Sequence, residues 1–220
     1  MFIGHFAPAL AAAAISRRAP GLGTLFIGAQ LVDWGFFAFA MVGIEHMRID
    51  PGATVMVPYD LYHMPYTHSL LGAGVWAVIF GLLIFALLRE IVAGILAGMV
   101  VLTHWALDWL VHRPDLTLAG GKTAYGLGLW DHPAIAIPLE LGITLGAFYW
   151  YVRSTRGPIG PPLVLLAMLL LFQAINWFAP HPETVGPGLY VQALLAFAVA
   201  ALVARWVGTN RWHKRARDWR

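Results

Sequence analysis

Six stretches of about twenty mostly apolar residues run through this chain, at roughly 22–44, 69–88, 91–111, 133–152, 161–180 and 188–207. Each is long enough to cross a hydrocarbon core of about 30 Å as a helix. A seventh apolar run, residues 2–16, falls short of that core at about 1.5 Å of rise per residue. It is expected to span only in part, or to rely on a thinned bilayer. It has no basic residue before its apolar run, and Arg17 and Arg18 follow it. That charge order is read as a retained segment rather than a signal peptide. Composition agrees: 60% of the residues are apolar and 11% charged, against about 45–50% and about 25% in an ordinary soluble domain. Such a chain cannot cover a globule of this size with polar groups. A disordered chain, a disulfide scaffold and a typical cytosolic enzyme are excluded. The predicted fold is an all-α polytopic membrane helix bundle with six to seven transmembrane spans, forming one integral-membrane domain over residues 1–220. No repeat or second domain interrupts it.

Lysine and arginine set the direction of threading. With seven spans, one side receives Arg17, Arg18, Arg89, Arg153, Arg156 and the basic tail of residues 208–220; the other receives Arg48, Arg113 and Lys122. This predicts a cytoplasmic C-terminus. The tail, with Arg211, Lys214, Arg215, Arg217 and Arg220, reads as a juxtamembrane segment facing anionic lipid, and no nucleic-acid partner is expected. The two longest connections, 45–67 and 112–132, fall on the outer side. Connections of that length are often functional.

Ionisable groups inside spans cost roughly 2.5–3.5 kcal/mol each on insertion scales, yet several are present. Asp33 is the only charge in the second run, His104 and Asp108 lie in the fourth, and Glu140 lies in the fifth. His68 opens the third, with His63 five residues before it, and His5 is near the start of the first. On the derived topology nearly all of them gather at the outer side. Asp33 is the exception: it lies about 11 residues in, roughly 16 Å deep on a straight helix. His104, Asp108 and His112 step by four and share one helix face. Thr67 is expected to cap the helix that begins beside His68.

Imidazole and carboxylate without thiolate suit Zn²⁺, Mn²⁺ or Fe²⁺, and the chain has no cysteine. His5, Asp33, His68, His104 and Asp108 are therefore the expected ligands of a divalent metal, zinc first. His63 is expected to transfer a proton or to be an extra ligand. This places the metal-site half at about 1–132, ahead of the C-terminal spans at 133–207. His112, Asp131, His132 and Glu140 read as supporting or structural groups around it. Gly94 and Gly98 read as helix-packing positions, and Gly4 and Gly35 as places where backbone comes close to the site.

Four pieces, Gly4-His5, Asp33, His63-x-x-x-x-His68-Ser69 and His104-x-x-x-Asp108, together resemble the YdjM-like (LexA-binding) inner-membrane metal-dependent hydrolases. That family's order is a Gly-His near the N-terminus, Asp-x-Asp-His, His-Arg-Gly-x-Thr-His-Ser and Ser-His-x-x-x-Asp. Thr67-His68-Ser69 and His104 with Asp108 match the third and fourth elements. The second is shortened here to Asp33-Trp34-Gly35-Phe36, and His-Arg-Gly becomes His63-Met64-Pro65. The resemblance covers roughly residues 1–115. It implies a bacterial inner membrane and hydrolysis by a metal-activated water. By the family's remote similarity to zinc phospholipase C and P1-type nucleases, it also implies phosphodiester or phospholipid chemistry. From the location of the site alone, a lipid-derived substrate with an ester or phosphodiester bond is expected to enter sideways from the bilayer. An ion or proton transporter, or a scaffold with a degenerate site, is the alternative reading of the same polar groups.

Overall fold

The computed structural model describes residues 1–214 and is a helical bundle. After a short 3-10 turn at Ile3–Phe6 come α1 (Ala7–Ile15), α2 (Leu22–Ala29), α3 (Leu31–Met41), α4 (Leu70–Leu88), α5 (Ile91–Val111), α6 (Pro133–Ser154), α7 (Gly160–Phe178) and α8 (Pro187–Thr209). Among the described residues five helices, α4 to α8, are long and apolar enough to cross a membrane, and α2 with α3 makes a sixth if the bent pair counts as one span. The outward faces are apolar, as on α4, where Leu71, Val75, Val78, Ile79 and Leu82 are exposed. With every helical backbone group bonded internally, this surface suits lipid. The chain is thus a multi-pass membrane bundle.

One apolar run departs from the expected straight span, and the short one lies inside the bundle. Residues 2–16, expected to span only in part, hold an apolar helix shorter than a full span. Ala7, Ala9, Leu10, Ala12 and Ala14 of α1 are buried, and the helix packs among α2, α5 and α6 at the centre of the bundle. An apolar helix without a polar face belongs in an interior, and its alanines let three neighbours approach. Ile3, Phe6, Leu10, Leu25 and Phe26 form the core around it. The run 22–44 is broken at Gln30, where α2 and α3 meet at 53°. Gln30 is fully buried, and its Nε2 donates to the Phe2 carbonyl at 3.2 Å.

The hairpin α4–α5 is tightly packed. A Cβ placed at Gly94 would sit 2.8 Å from the Gly81 carbonyl oxygen, and one at Gly98 would sit 2.9 Å from that of Ala77. Small residues let these backbones close, as is usual between membrane helices. Because α4 and α5 are antiparallel neighbours, the start of α4 and the end of α5 share one end of the bundle. Two hairpins cover that end: β1 (His46–Ile49) with β2 (Tyr59–His63), and β3 (Leu116–Thr117) with β4 (Ala124–Tyr125). Asp60 is buried between the guanidinium groups of Arg48 and Arg113 and ties the two connections together.

At the other end β5 (Thr155–Arg156) pairs antiparallel with β6 (Trp212–His213). Arg211 was expected among the lipid-facing basic tail, but it points inward. It is 8% exposed and donates to Thr155 Oγ1 and to the carbonyls of Val152, Thr155, Gly157 and Pro158. Val152 and Thr155 lie at the end of α6, where carbonyls lack helical partners, and Gly157 and Pro158 lie in the segment that follows. Burial lowers the guanidinium pKa. Lys214 N donates to the Ser154 carbonyl at 3.0 Å; Arg215, Arg217 and Arg220 lie outside the described residues.

Candidate metal centre

The helix ends bring five of the expected residues together. His68 precedes the first turn of α4, and His104 and Asp108 lie one turn apart in α5. His5 comes from the 3-10 turn before α1. Asp33 sits in the first turn of α3, just past the break at Gln30. The break resolves the apparent depth of Asp33, because a fresh helix start places its carboxylate against α4 and α5. Gly35 permits the approach: a Cβ there would lie 3.2 Å from Thr67 Cγ2.

Hydrogen bonds assign the proton on each imidazole. His104 Nδ1 lies 2.9 Å from the carbonyl oxygen of Ala29, the last residue of α2. A carbonyl only accepts, so Nδ1 carries the hydrogen and Nε2 keeps its lone pair. That Nε2 is 3.1 Å from Asp108 Oδ2 and 3.5 Å from Asp33 Oδ1. His68 is set by a relay. The Thr67 hydroxyl lies 2.6 Å from Glu45 Oε2 and 2.9 Å from His68 Nδ1. Its single hydrogen goes to the carboxylate, so the imidazole Nδ1–H donates to Thr67 Oγ1. His68 Nε2 then faces Asp33 Oδ1 at 3.2 Å and Asp108 Oδ2 at 3.6 Å. In His112, Nδ1 donates to Asp115 Oδ1 at 2.9 Å, and Nε2 lies 3.7 Å from Asp108 Oδ1. His5 stacks on His104 with ring centroids 3.7 Å apart, and its Nε2 is 3.0 Å from Asp108 Oδ1. The Met1 amino nitrogen also lies 2.9 Å from that oxygen.

The result is an electron-rich pocket. Imidazole lone pairs and two carboxylates face one another, and all but Asp33 are buried. Such groups repel unless positive charge lies between them, and the Met1 ammonium supplies it at Asp108 Oδ1 on one side of the cluster. His5, His104 and Asp108 offer ligand atoms within 4.8 Å of one another, and so do Asp33, His68 and His104. An outer acceptor on Nδ1 with Nε2 turned inward is how metal-binding histidines are normally held. The donor set fits a divalent cation.

Other residues fall differently. His63 is not brought to this group. It stands exposed on β2 opposite His46, with ring centroids 5.7 Å apart. Thr67 does not cap α4. Ser69 does, its Oγ accepting from Gly72 N at 2.9 Å, which frees Thr67 for the relay. Glu140 binds backbone: Oε1 accepts from the N–H groups of Phe2 and Gly4, and Oε2 from Gln173 Nε2. It thereby anchors the turn that carries His5. Asp131 accepts from Val55 N, and His132 is exposed at the start of α6.

Two features go beyond the sequence reading. Glu45, buried and bonded to Tyr66 N, Thr67 N and Thr67 Oγ1, was not singled out. His112, which the sequence placed on the same helix face and read as a supporting group, is oriented as firmly as the expected ligands.

A cavity of about 370 Å³ adjoins the cluster. Asp33, His68, Asp108, His112 and Glu140 line its inner part, Asn176 and Gln192 add carboxamides, and most of the rest is aromatic and aliphatic side chains, many of them from α3, α7 and α8. Tyr59 stands at its edge. Burial raises the phenol pKa, and its hydroxyl lies 3.3 Å from His181 Nδ1. Comparison with known protein families, with curated proteins and with solved structures gives no match.

Proposed function

We propose that the chain is a membrane-embedded metal-dependent hydrolase of the YdjM-like kind, which cleaves an ester or phosphodiester at this centre. Zinc is the first choice of ion, with manganese and iron as alternatives that the same donors accept. One observation carries the reading. Three imidazoles each give their Nδ1 hydrogen to a fixed acceptor, and each turns its Nε2 toward Asp108. A structural hydrogen-bond cluster needs no such common aim.

His68, His104, Asp33 and Asp108 would hold the ion, with His5 adjoining through Asp108. A divalent ion in such a site supplies Lewis acidity, lowering the pKa of water to about 7 and polarising the acceptor oxygen. His112, which lines the cavity with Nε2 inward, is positioned to take up a proton there. This role passes to it from His63, which stands exposed on β2. The apolar walls limit competing water.

The test is elemental analysis of detergent-purified protein, wild type beside His104→Ala and Asp108→Ala. Wild type is expected to carry zinc, manganese or iron in simple stoichiometry and both variants to lose it. Equal metal in all three overturns the proposal, and so does a metal-loaded wild type that hydrolyses no ester or phosphodiester. We also propose a bacterial inner-membrane location with a cytoplasmic C-terminus, following the lysine and arginine distribution. A C-terminal alkaline phosphatase fusion should be inactive; activity would reverse the threading.

A further inference from the structure

The cavity beside the centre has a shape and chemistry of its own. Phe36 and Phe37 of α3, Phe172 of α7, and Ala193, Ala196 and Phe197 of α8 form its apolar wall. Two lining residues, Ile175 of α7 and Gln192 of α8, are exposed, so the cavity opens between these two helices. Gln192 is the only polar residue of α8 between Tyr190 and Arg205, and Asn176, also in the lining, is one of two carboxamides in α7. One carboxamide from each of the two helices, Asn176 and Gln192, thus lines the cavity where it opens. Beyond it a second recess of about 440 Å³ shares Tyr59, Asn176 and Gln192 and is bounded by the 179–188 connection. The opening therefore lies where a lipid-facing surface meets the connecting loops.

We infer that the substrate is an amphiphile with one hydrocarbon chain, whose chain lies along α3, α7 and α8 while its ester or phosphoester group meets Asp33, Asp108 and His112. The inference rests on the hydrolase reading and names its substrate class. Three features of the cavity support it. The wall is aromatic and aliphatic right up to the carboxylates, so a small polar substrate would leave most of it facing water, at a cost per apolar area. Cavities that enclose a drug-sized ligand run to about 300–1,000 Å³; 370 Å³ is at the low end and suits one chain rather than two. The opening between two membrane helices admits a molecule from the bilayer.

The test uses full-length protein in detergent, loaded with zinc. Native mass spectrometry measures binding of oleoyl lysophosphatidylcholine, dioleoyl phosphatidylcholine and glycerophosphocholine, and product analysis measures turnover of the same three. The single-chain lipid should bind in preference to the other two. Ala196→Trp, and the milder Ala193→Phe, should weaken that binding by about tenfold or more, the scale of a misfitted apolar pocket. Both should keep their zinc, which shows the centre is intact. Asp108→Asn should still bind the lipid and lack turnover. Binding of the single-chain lipid without its turnover in wild type would overturn the hydrolase reading and leave standing only the fit of one hydrocarbon chain to the cavity. Turnover of glycerophosphocholine with no binding of the single-chain lipid would overturn the inference and leave the hydrolase standing. Equal binding in wild type and both cavity-filled variants would also overturn it.

Discussion

Thr67 is the most exacting place to probe the centre, because its hydroxyl touches no proposed ligand atom that faces the ion. Thr67→Val keeps the volume and removes the oxygen. Glu45 Oε2 then loses its 2.6 Å bond and His68 Nδ1 its 2.9 Å acceptor. Glu45 Oε1 keeps the N–H groups of Tyr66 and Thr67. A buried polar group left unpaired costs about 1–3 kcal/mol. His68 has an escape: its hydrogen can move to Nε2 and donate to Asp33 Oδ1, 3.2 Å away. That repair recovers stability but takes the lone pair out of the cluster. Zinc affinity should therefore fall by about 10–100-fold, as when an outer partner of a metal-binding histidine is lost. The metal-free protein should lose no more than about 1–3 kcal/mol. Zinc titration against a chromophoric chelator, with thermal unfolding of metal-free and zinc-loaded protein in detergent, reads both quantities. Thr67→Ser should stay near wild type. A Thr67→Val protein that binds zinc as tightly as wild type would refute the relay.

Three further outcomes are expected. His112→Ala should reduce hydrolysis, whereas His63→Ala, exposed on β2, should change neither zinc content nor rate; the reverse pattern would restore His63 to the reaction. Gly98→Leu places carbon within 2.9 Å of the Ala77 carbonyl oxygen, and overpacking of this kind costs about 1–3 kcal/mol, visible as a lower unfolding temperature; an unchanged temperature would mean that α4 and α5 separate freely. Arg211→Met strips hydrogen bonds from four carbonyls and one hydroxyl, and since a bond to a charged group is worth about 1.5–3 kcal/mol, unfolding should come clearly earlier, with Arg211→Lys restoring little because one ammonium cannot reach acceptors spread on both sides of a planar fork.

Local patterns in the sequence carried the helix-borne part of the centre. His104 and Asp108 are four apart, and helix geometry alone puts them together. The apolar runs of α4 to α8 were equally legible, because length and composition decide whether a helix can span. What escaped were the features that depend on distant contacts. Glu45 meets its partners 21 and 22 residues away, across a connection with no periodic signal. The break at Gln30 lies inside a run without proline, so nothing local marks it. The interior course of α1 was hidden for another reason: protein interior and lipid tails reward the same side chains, and hydropathy cannot separate them. Only its alanine content hinted that neighbours press on it from several sides.

The placement of α1 links two regions that share no sequence proximity. The helical stretch from Ile3 to Ile15 is about 20 Å long at 1.5 Å per residue. One extremity presents His5 to His104, and near the other the Ala14 carbonyl accepts from His213 Nε2 at 2.8 Å. A central rod pinned at its far rim sets how high the stacked ring stands. Loosening the pin at His213 would free the far end of the rod, and the stack of His5 on His104 would register the movement from the opposite end of the bundle.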